Sequence, residues 1–495
     1  MVERRVPAGR GGLEPGVRRG RVPAVRGGRV PAVLGLDLGT SEAKAALVGL
    51  DGRLLGLGRG AYPTDVGADG RAEQDPRDWW VAVTVAVRSL SGVVAGAEVL
   101  AICCVGQGPT LVAVDADGEP VRPALTWQDR RAGAGGYGLL PRMAWLARED
   151  PNGAARARWL LASWDAVGLW LTGEAATTVQ GHETPLSADE LAGAGVRVEA
   201  VPPALAFGSR LGSLRGPVAE LLGLPAGTPV VAGVNDGTAS MLGAGLRAPG
   251  DAVDTGGTSG GIGIYADRPV VLPGMFLAPA PLPGRWVVGG AMAALGASVD
   301  WVRSALLGDR WTPDELFEAA ARVPAGADGL VFLPYLAGER APIFDEDARG
   351  VLFGLTLAHG PEHVARAALE GAAFALRHVA EPLGAAGAPV RELRPAGRPS
   401  PGDTWARIKA DVLGVPVAIP AVGETAVMGA AILAAVGAGS FTSLEEGVSA
   451  MTSVARRLES DPVAHARYDE AFAIYAALYP ALRPLFHGDG GAAAT

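Results

Sequence analysis

A glycine-threonine turn set in an apolar stretch occurs twice in this chain of 495 residues. The first is Leu34-Gly35-Leu36-Asp37-Leu38-Gly39-Thr40-Ser41, and the second is Asp254-Thr255-Gly256-Gly257-Thr258-Ser259-Gly260-Gly261. Each reads as a strand entering a tight hairpin whose backbone N–H groups and hydroxyls can face an anion. Glycine is required there, because a Cβ would block positive φ and the close approach of phosphate oxygens. One such turn is a common loop. Two, this far apart, predict two similar half-molecules that grip one nucleotide between them.

The surrounding pattern supports that division. Residues 33–51 alternate apolar and small side chains around Gly39 and turn at Asp51-Gly52, and residues 53–61 supply a third antiparallel strand. Asp75-Pro76 caps a helix with an apolar stripe at Trp79, Trp80, Val83 and Val87. Residues 99–105 and 228–233 read as buried strands, and the order of strand, hairpin, strand and helices restarts near Leu246. We expect an α/β fold with two mixed sheets, over residues 32–245 and 246–487, and a cleft between them. The first thirty residues carry eight Arg against Glu3 and Glu14 and repeat Gly-Arg-Val-Pro-Ala-Val from Gly20 and again from Gly28. Residues 1–31 are therefore expected to be a disordered basic tail, and residues 488–495 a short polar one.

Composition excludes several functions. A net charge of −9 argues against a nucleic-acid surface, and no apolar run reaches membrane-spanning length. The longest such run, residues 426–439, reads as a buried helix. Cys103 and Cys104 are neighbours that point to opposite faces of one strand, so they are expected as reduced core residues in a cytoplasmic setting. His359 and His363 lack the further ligands of a zinc site. Lys44 and Lys409, the two lysines, do not follow glycine, so there is no Gly-Lys-Ser/Thr phosphate loop. Gly133, Gly135 and Gly138 follow Arg130-Arg131 instead of a strand, and read as loop.

Two aspartates invite chemistry. A carboxylate beside phosphates is repulsive unless a cation lies between, so Asp37 reads as a Mg²⁺ ligand, with an aspartate bonding its own turn as the alternative. Asp236 ends an apolar strand between Gly233 and Gly237, with an uncrowded carboxylate. From sequence alone, Asn235-Asp236-Gly237 is usually a turn. Glu339-Arg340 reads as a structural ion pair, with a ligand role as its alternative.

In order and spacing, further segments join the two turns. They include Glu73-Gln74-Asp75-Pro76, Gly106-Gln107, Thr126-Trp127-Gln128-Asp129-Arg130-Arg131, Leu171-Thr172-Gly173-Glu174, Gly233-Val234-Asn235-Asp236-Gly237 and Phe332-Leu333-Pro334-Tyr335. With these, the chain resembles the FGGY carbohydrate kinases, sugar kinases of the actin-like ATPase superfamily. The resemblance implies two ribonuclease H-like domains around a central cleft, with ATP and Mg²⁺ as cofactors. The first domain would carry sugar binding, and the second nucleotide binding. It implies that Asp236 is the base that takes the proton from a sugar hydroxyl, for which an ordinary carboxylate pKa suffices. Asp37 and Asp236 would attend the metal. Gly39, Thr40, Ser41, Gly257, Thr258 and Ser259 would hold phosphates, with Gly296, Asp300, Gly397 and Arg398 on the nucleoside side. Gln107, Trp127, Gln128, Asp129, Asn235 and Asp236 would read the sugar.

The chain departs from the pattern of the family it resembles at two places. Gly108-Pro109 stands where xylulose-kinase-like members carry Met-His, the Arg-Glu pair of glycerol kinases is also missing, and Arg398 stands where a second glycine belongs. The expected function is transfer of the γ-phosphoryl group of ATP to a pentulose such as xylulose. The alternatives are a sugar acid or polyol of gluconate or erythritol type, or a non-catalytic or partner-regulated actin-like nucleotide switch. A small-molecule sugar is the expected partner, and a homodimer is compatible with the sequence.

Overall fold

Short apolar strands joined by glycine turns close on themselves before they can reach distant partners. The first three strands, β1 (Val30–Leu38), β2 (Glu42–Gly49) and β3 (Leu54–Ala61), accordingly form one antiparallel meander. The structure, a computed structural model, describes residues 28–133, 138–179, 186–257, 259–308, 311–397 and 400–488. Most of the expected basic tail, the middle of the 133–138 glycine string, Thr258, Arg398 and the last seven residues lie outside these. β1 begins at Val30, so the strand takes in two positions that the sequence pattern assigned to the tail.

The first sheet is completed by β4 (Ala97–Gly106), β5 (Arg210–Ser213) and β6 (Pro229–Val231), in the order β5-β6-β4-β1-β2-β3. β1, β4 and β6 run parallel, whereas β2, β3 and β5 are antiparallel to their neighbours. The second sheet repeats the design with β7 (Asp251–Asp254), β8 (Gly261–Ala266), β9 (Phe276–Pro279), β10 (Trp286–Ala291), β11 (Glu392–Pro395), β12 (Val417–Pro420) and β13 (Val454–Leu458). Its order is β9-β10-β8-β7-β11-β12-β13. β7 pairs antiparallel with β8 across the second hairpin and parallel with β11, as β1 does with β2 and β4. This is the expected two-domain actin-like architecture.

The helix α1 (Pro76–Arg88) starts where the sequence places it, because the Asp75 carboxylate accepts the Arg77 N–H and Pro76 needs no donor. The helices α2 (Asp236–Gly243) and α3 (Thr425–Gly437) follow β6 and β12, and they cross where the two halves meet. The crossing is close because glycine faces backbone on both sides. A Cβ on Gly243 would stand 1.9 Å from Thr425 O, and one on Gly429 2.0 Å from Ala239 O. One apolar core spans this seam, with Val33, Val105, Leu242, Val253, Tyr265, Val427 and Ala431 among its members. Cys103 lies in that core and Cys104 in the core of the first half, both buried and unpaired, as expected for neighbours on one strand. Among the described residues, no helix is long and apolar enough to cross a membrane.

Candidate functional site

In open sheets of this kind, ligands collect beyond the carboxyl ends of parallel strands. Here those ends carry Asp37 on β1, Gln107 just past β4, and Asp236 just past β6. Asp37 pairs in register with Val105, Gln107 N–H donates to Leu38 O at 2.8 Å, and Asn235 bridges Gly106. Asp236 opens α2 instead of ending a strand. Asn235 is the N-cap, and its side-chain oxygen accepts the Thr238 N–H at 2.7 Å. Asp236 Oδ1 accepts the Gly237 N–H at 2.8 Å, so the positive end of the helix faces this carboxylate.

The electrostatics differ from the sequence expectation. Burial, and then the neighbouring Asp37 charge, pushes Asp236 up to about 7, well above an ordinary carboxylate. Burial likewise raises Asp37 to about 6, against the opposing pull of Lys44, whose Nζ lies 3.8 Å from Asp37 Oδ2. Asp37 Oδ1 is buried without a hydrogen-bond partner. Two adjacent carboxylates, one with an unsatisfied oxygen, form a donor set suited to a hard divalent cation, and Lys44 offsets their charge only in part.

The turns retain free donors. Gly39 N–H closes its own hairpin onto Glu42 O at 3.0 Å, but Thr40 and Ser41 N–H donate to nothing among the described residues. In the second hairpin, Thr255 N–H closes the turn and Gly256 N–H donates to Asp254 Oδ1 at 2.9 Å, whereas Gly257 and Ser259 N–H have no acceptor among the described residues. Gly257 has a φ of +75°, with open space where a Cβ would be. That is the geometry the glycine was expected to serve. Gly397, expected on the nucleoside side, has a φ of +94° and is equally open. Gly296 lies in the helix Leu295–Trp301, where Asp300 is exposed and paired with Arg303 at 3.0 Å. Thr258 and Arg398 are outside the described residues.

The expected sugar readers separate into two kinds. Trp127 and Gln128 are half-buried beside the first turn, with the Trp127 indole N–H donating to Thr40 Oγ1 at 3.2 Å. Asp129, expected to face hydroxyls directly, is turned inward. Its carboxylate accepts from Arg131 and from the Ala72 N–H at 3.0 Å, which outweigh burial and hold it below the usual range. Gln107 is fully buried. Its Nε2 donates to Gln74 Oε1 at 2.7 Å and its Oε1 is unpartnered. Glu339, read as half of an ion pair, instead accepts the Ala293 N–H at 2.9 Å and the Arg340 N–H at 2.7 Å.

The organising roles of several residues were not read from the sequence. Gln74 accepts from Trp79 Nε1 and Gln107 Nε2 and donates to Thr40 O at 2.7 Å, tying the Gln107 loop to the first turn. Lys44, Arg59 and Glu424 form ion pairs beside Asp37. The scarcity of lysine was the available signal, since both lysines lie against a hairpin aspartate.

Comparison with known proteins agrees with this geometry. The profile of the FGGY family of carbohydrate kinases, N-terminal domain, matches residues 32–135, and that of the C-terminal domain matches residues 252–438. The xylulose kinase of Bacillus subtilis is 31% identical, over 83% of this chain and 89% of that protein. The gluconokinase of the same organism is 27% identical, over 83% and 88%. The crystal structure of xylulose kinase from Rhodospirillum rubrum superposes with a TM-score of 0.79 at 30% identity, covering 92% of this chain and all of that one.

Proposed function

We propose, for a chain that belongs to the FGGY family of carbohydrate kinases and is thus a phosphotransferase with an alcohol acceptor, that ATP is the donor and a pentulose such as xylulose the acceptor. The observation that carries this reading is the half-buried Asp236 carboxylate beside the unsatisfied Asp37 Oδ1, at the mouth of two hairpins with free amide donors. Asp236 accepts the proton of the attacking hydroxyl as the general base. Asp37, with Asp236, would hold Mg²⁺, which when bound neutralises charge on the phosphoryl group being transferred.

Gly39, Thr40 and Ser41 grip phosphate from one side, and Gly257, Thr258 and Ser259 from the other. Gly296, Asp300 and Gly397 would contact the nucleoside, and the same role is proposed for Arg398. Trp127 offers the sugar a flat wall and Gln128 a free amide, while Gln107, Asn235 and Asp129 shape the floor around them. Closure of the halves excludes water and limits ATP hydrolysis.

A second acceptor class, the sugar acids, draws support from Arg142. This guanidinium is buried and binds Thr126 O and Trp127 O at 3.2 and 3.0 Å, and it has no carboxylate partner among the described residues. ATP turnover measured over pentuloses, sugar acids and polyols tests both readings. Strong stimulation by xylulose supports the first, stimulation by aldonates alone favours the second, and turnover indifferent to every sugar refutes both. Asp236→Asn should lower acceptor-dependent turnover by at least about 10²-fold.

A further inference from the structure

Five charged side chains meet where the first hairpin abuts α3, and only Asp37 has a role in the reading above. Lys44 on β2 stands directly across from Asp37 on β1, and Arg59 on β3 directly across from Lys44. Side chains opposed in this way share one face of a sheet, as does Glu42, two residues before Lys44. The fifth, Glu424, comes from the other half of the chain, at the residue that precedes α3.

Glu424 binds both bases. Its Oε2 lies 2.9 Å from Lys44 Nζ, and its Oε1 accepts from Arg59 Nη2. Without it, Lys44 retains only Asp37 and Glu42, each at 3.8 Å. A flexible four-carbon stem does not hold an ammonium in place on contacts that long. The position of Glu424 is itself fixed, because α3 packs glycine-to-backbone against α2, the helix that begins with Asp236. Both Lys44 and Glu424 remain partly open to solvent, at 21% and 24% of their side chains, so a ligand can reach them.

We propose that Glu424 is a positioning residue: anchored to the Asp236 helix, it pins Lys44 and Arg59 and so holds the hairpin of Asp37 and Thr40 ready for a metal-bound phosphate. The proposal rests on the kinase reading. It assigns the seam a task in nucleotide binding, separate from sugar binding.

Calorimetric titration with Mg·ADP, alongside the acceptor KM, tests it. Glu424→Gln should weaken Mg·ADP about tenfold while the acceptor KM stays within about twofold, and Glu424→Asp should recover most of the loss. Glu424→Gln added to Lys44→Met should weaken binding further only by the share that runs through Arg59, about threefold at most. Arg59→Met, at an exposed position, should act in the same direction by about threefold, and it decides the matter if the Glu424 variants do not fold. Unchanged Mg·ADP affinity in Glu424→Gln, or equal loss of nucleotide and sugar affinity, overturns the proposal. Wild-type protein that binds no Mg·ADP overturns the kinase reading itself.

Discussion

Lys409 Nζ lies 2.5 Å from Asp254 Oδ2, and this buried ion pair joins the helix Thr404–Leu413 to the second hairpin. Asp254 is completely buried and Lys409 is 4% exposed, with its ammonium 3.9 Å over the Trp405 ring. The other Asp254 oxygen holds the Gly256 N–H, so the pair fixes the turn that offers Gly257 to a ligand. Lys409→Met leaves a buried carboxylate uncompensated and should destabilise the protein by about 3–5 kcal/mol in urea unfolding. Asp254→Asn combined with Lys409→Met should recover much of that loss, because removing both charges removes the penalty. A single variant within about 1 kcal/mol of wild type would contradict this account.

How far such features could be read beforehand follows from their range in sequence. The hairpins at Gly39 and Gly257 and the Asp75-Pro76 helix start are set by neighbouring residues, and all were legible. Asp236 was legible as a residue but not as an environment, since its raised pKa comes from burial and from Asp37, which arrives on another strand. Glu424 and Gln74 were invisible for the same reason. Their partners lie 365 and 33 residues away along the chain, at Arg59 and Gln107. Asp129 was misread although its partner Arg131 is only two residues distant, because spacing does not tell whether a loop carboxylate turns outward or in.

That inward turn has a kinetic consequence. Asp129 pairs with Arg131, which also reaches Glu73 at 2.6 Å, so on the proposed function this pair would affect the sugar through the loop it braces. Asp129→Asn and Arg131→Met should each raise the acceptor KM about tenfold with a smaller effect on kcat, and the double variant should be no worse than either. A direct hydroxyl reader at Asp129 would give additive losses instead.

Asp165 carries a pH dependence of stability. It sits in the helix Ser163–Thr172 and accepts from Thr178 N at 3.2 Å and Thr178 Oγ1 at 2.5 Å, yet burial pushes it up to about 7. A raised carboxyl binds its proton more tightly in the folded than in the unfolded chain. Its ionisation therefore destabilises the fold as pH rises from 3.8 to about 7, and adds nothing further above that. Asparagine resembles the neutral acid, so Asp165→Asn should gain on wild type by about 1–3 kcal/mol between about pH 5 and about pH 8. Because the other acids titrate alike in both proteins, a difference that does not change with pH would refute the assignment.

The seam offers the sharpest steric test. A Cβ on Gly429 would meet Ala239 O at 2.0 Å, backbone against backbone, with no side chain able to yield. Gly429→Ala must therefore part α2 from α3, moving the start of the Asp236 helix relative to Glu424. Overpacking of this kind costs about 1–3 kcal/mol or more, and a displacement near 1 Å at a reacting group costs about 10²-fold in rate. We expect a lowered Tm and a kcat reduced by at least about tenfold, with the sugar KM less affected. Gly92, in the helix Ser91–Val94, has no atom within 4 Å of an added Cβ. Gly92→Ala should accordingly be neutral or stabilising by about 0.4–1 kcal/mol. If the two alanines behave alike in thermal melts and turnover, the close crossing of α2 and α3 is not what positions Asp236.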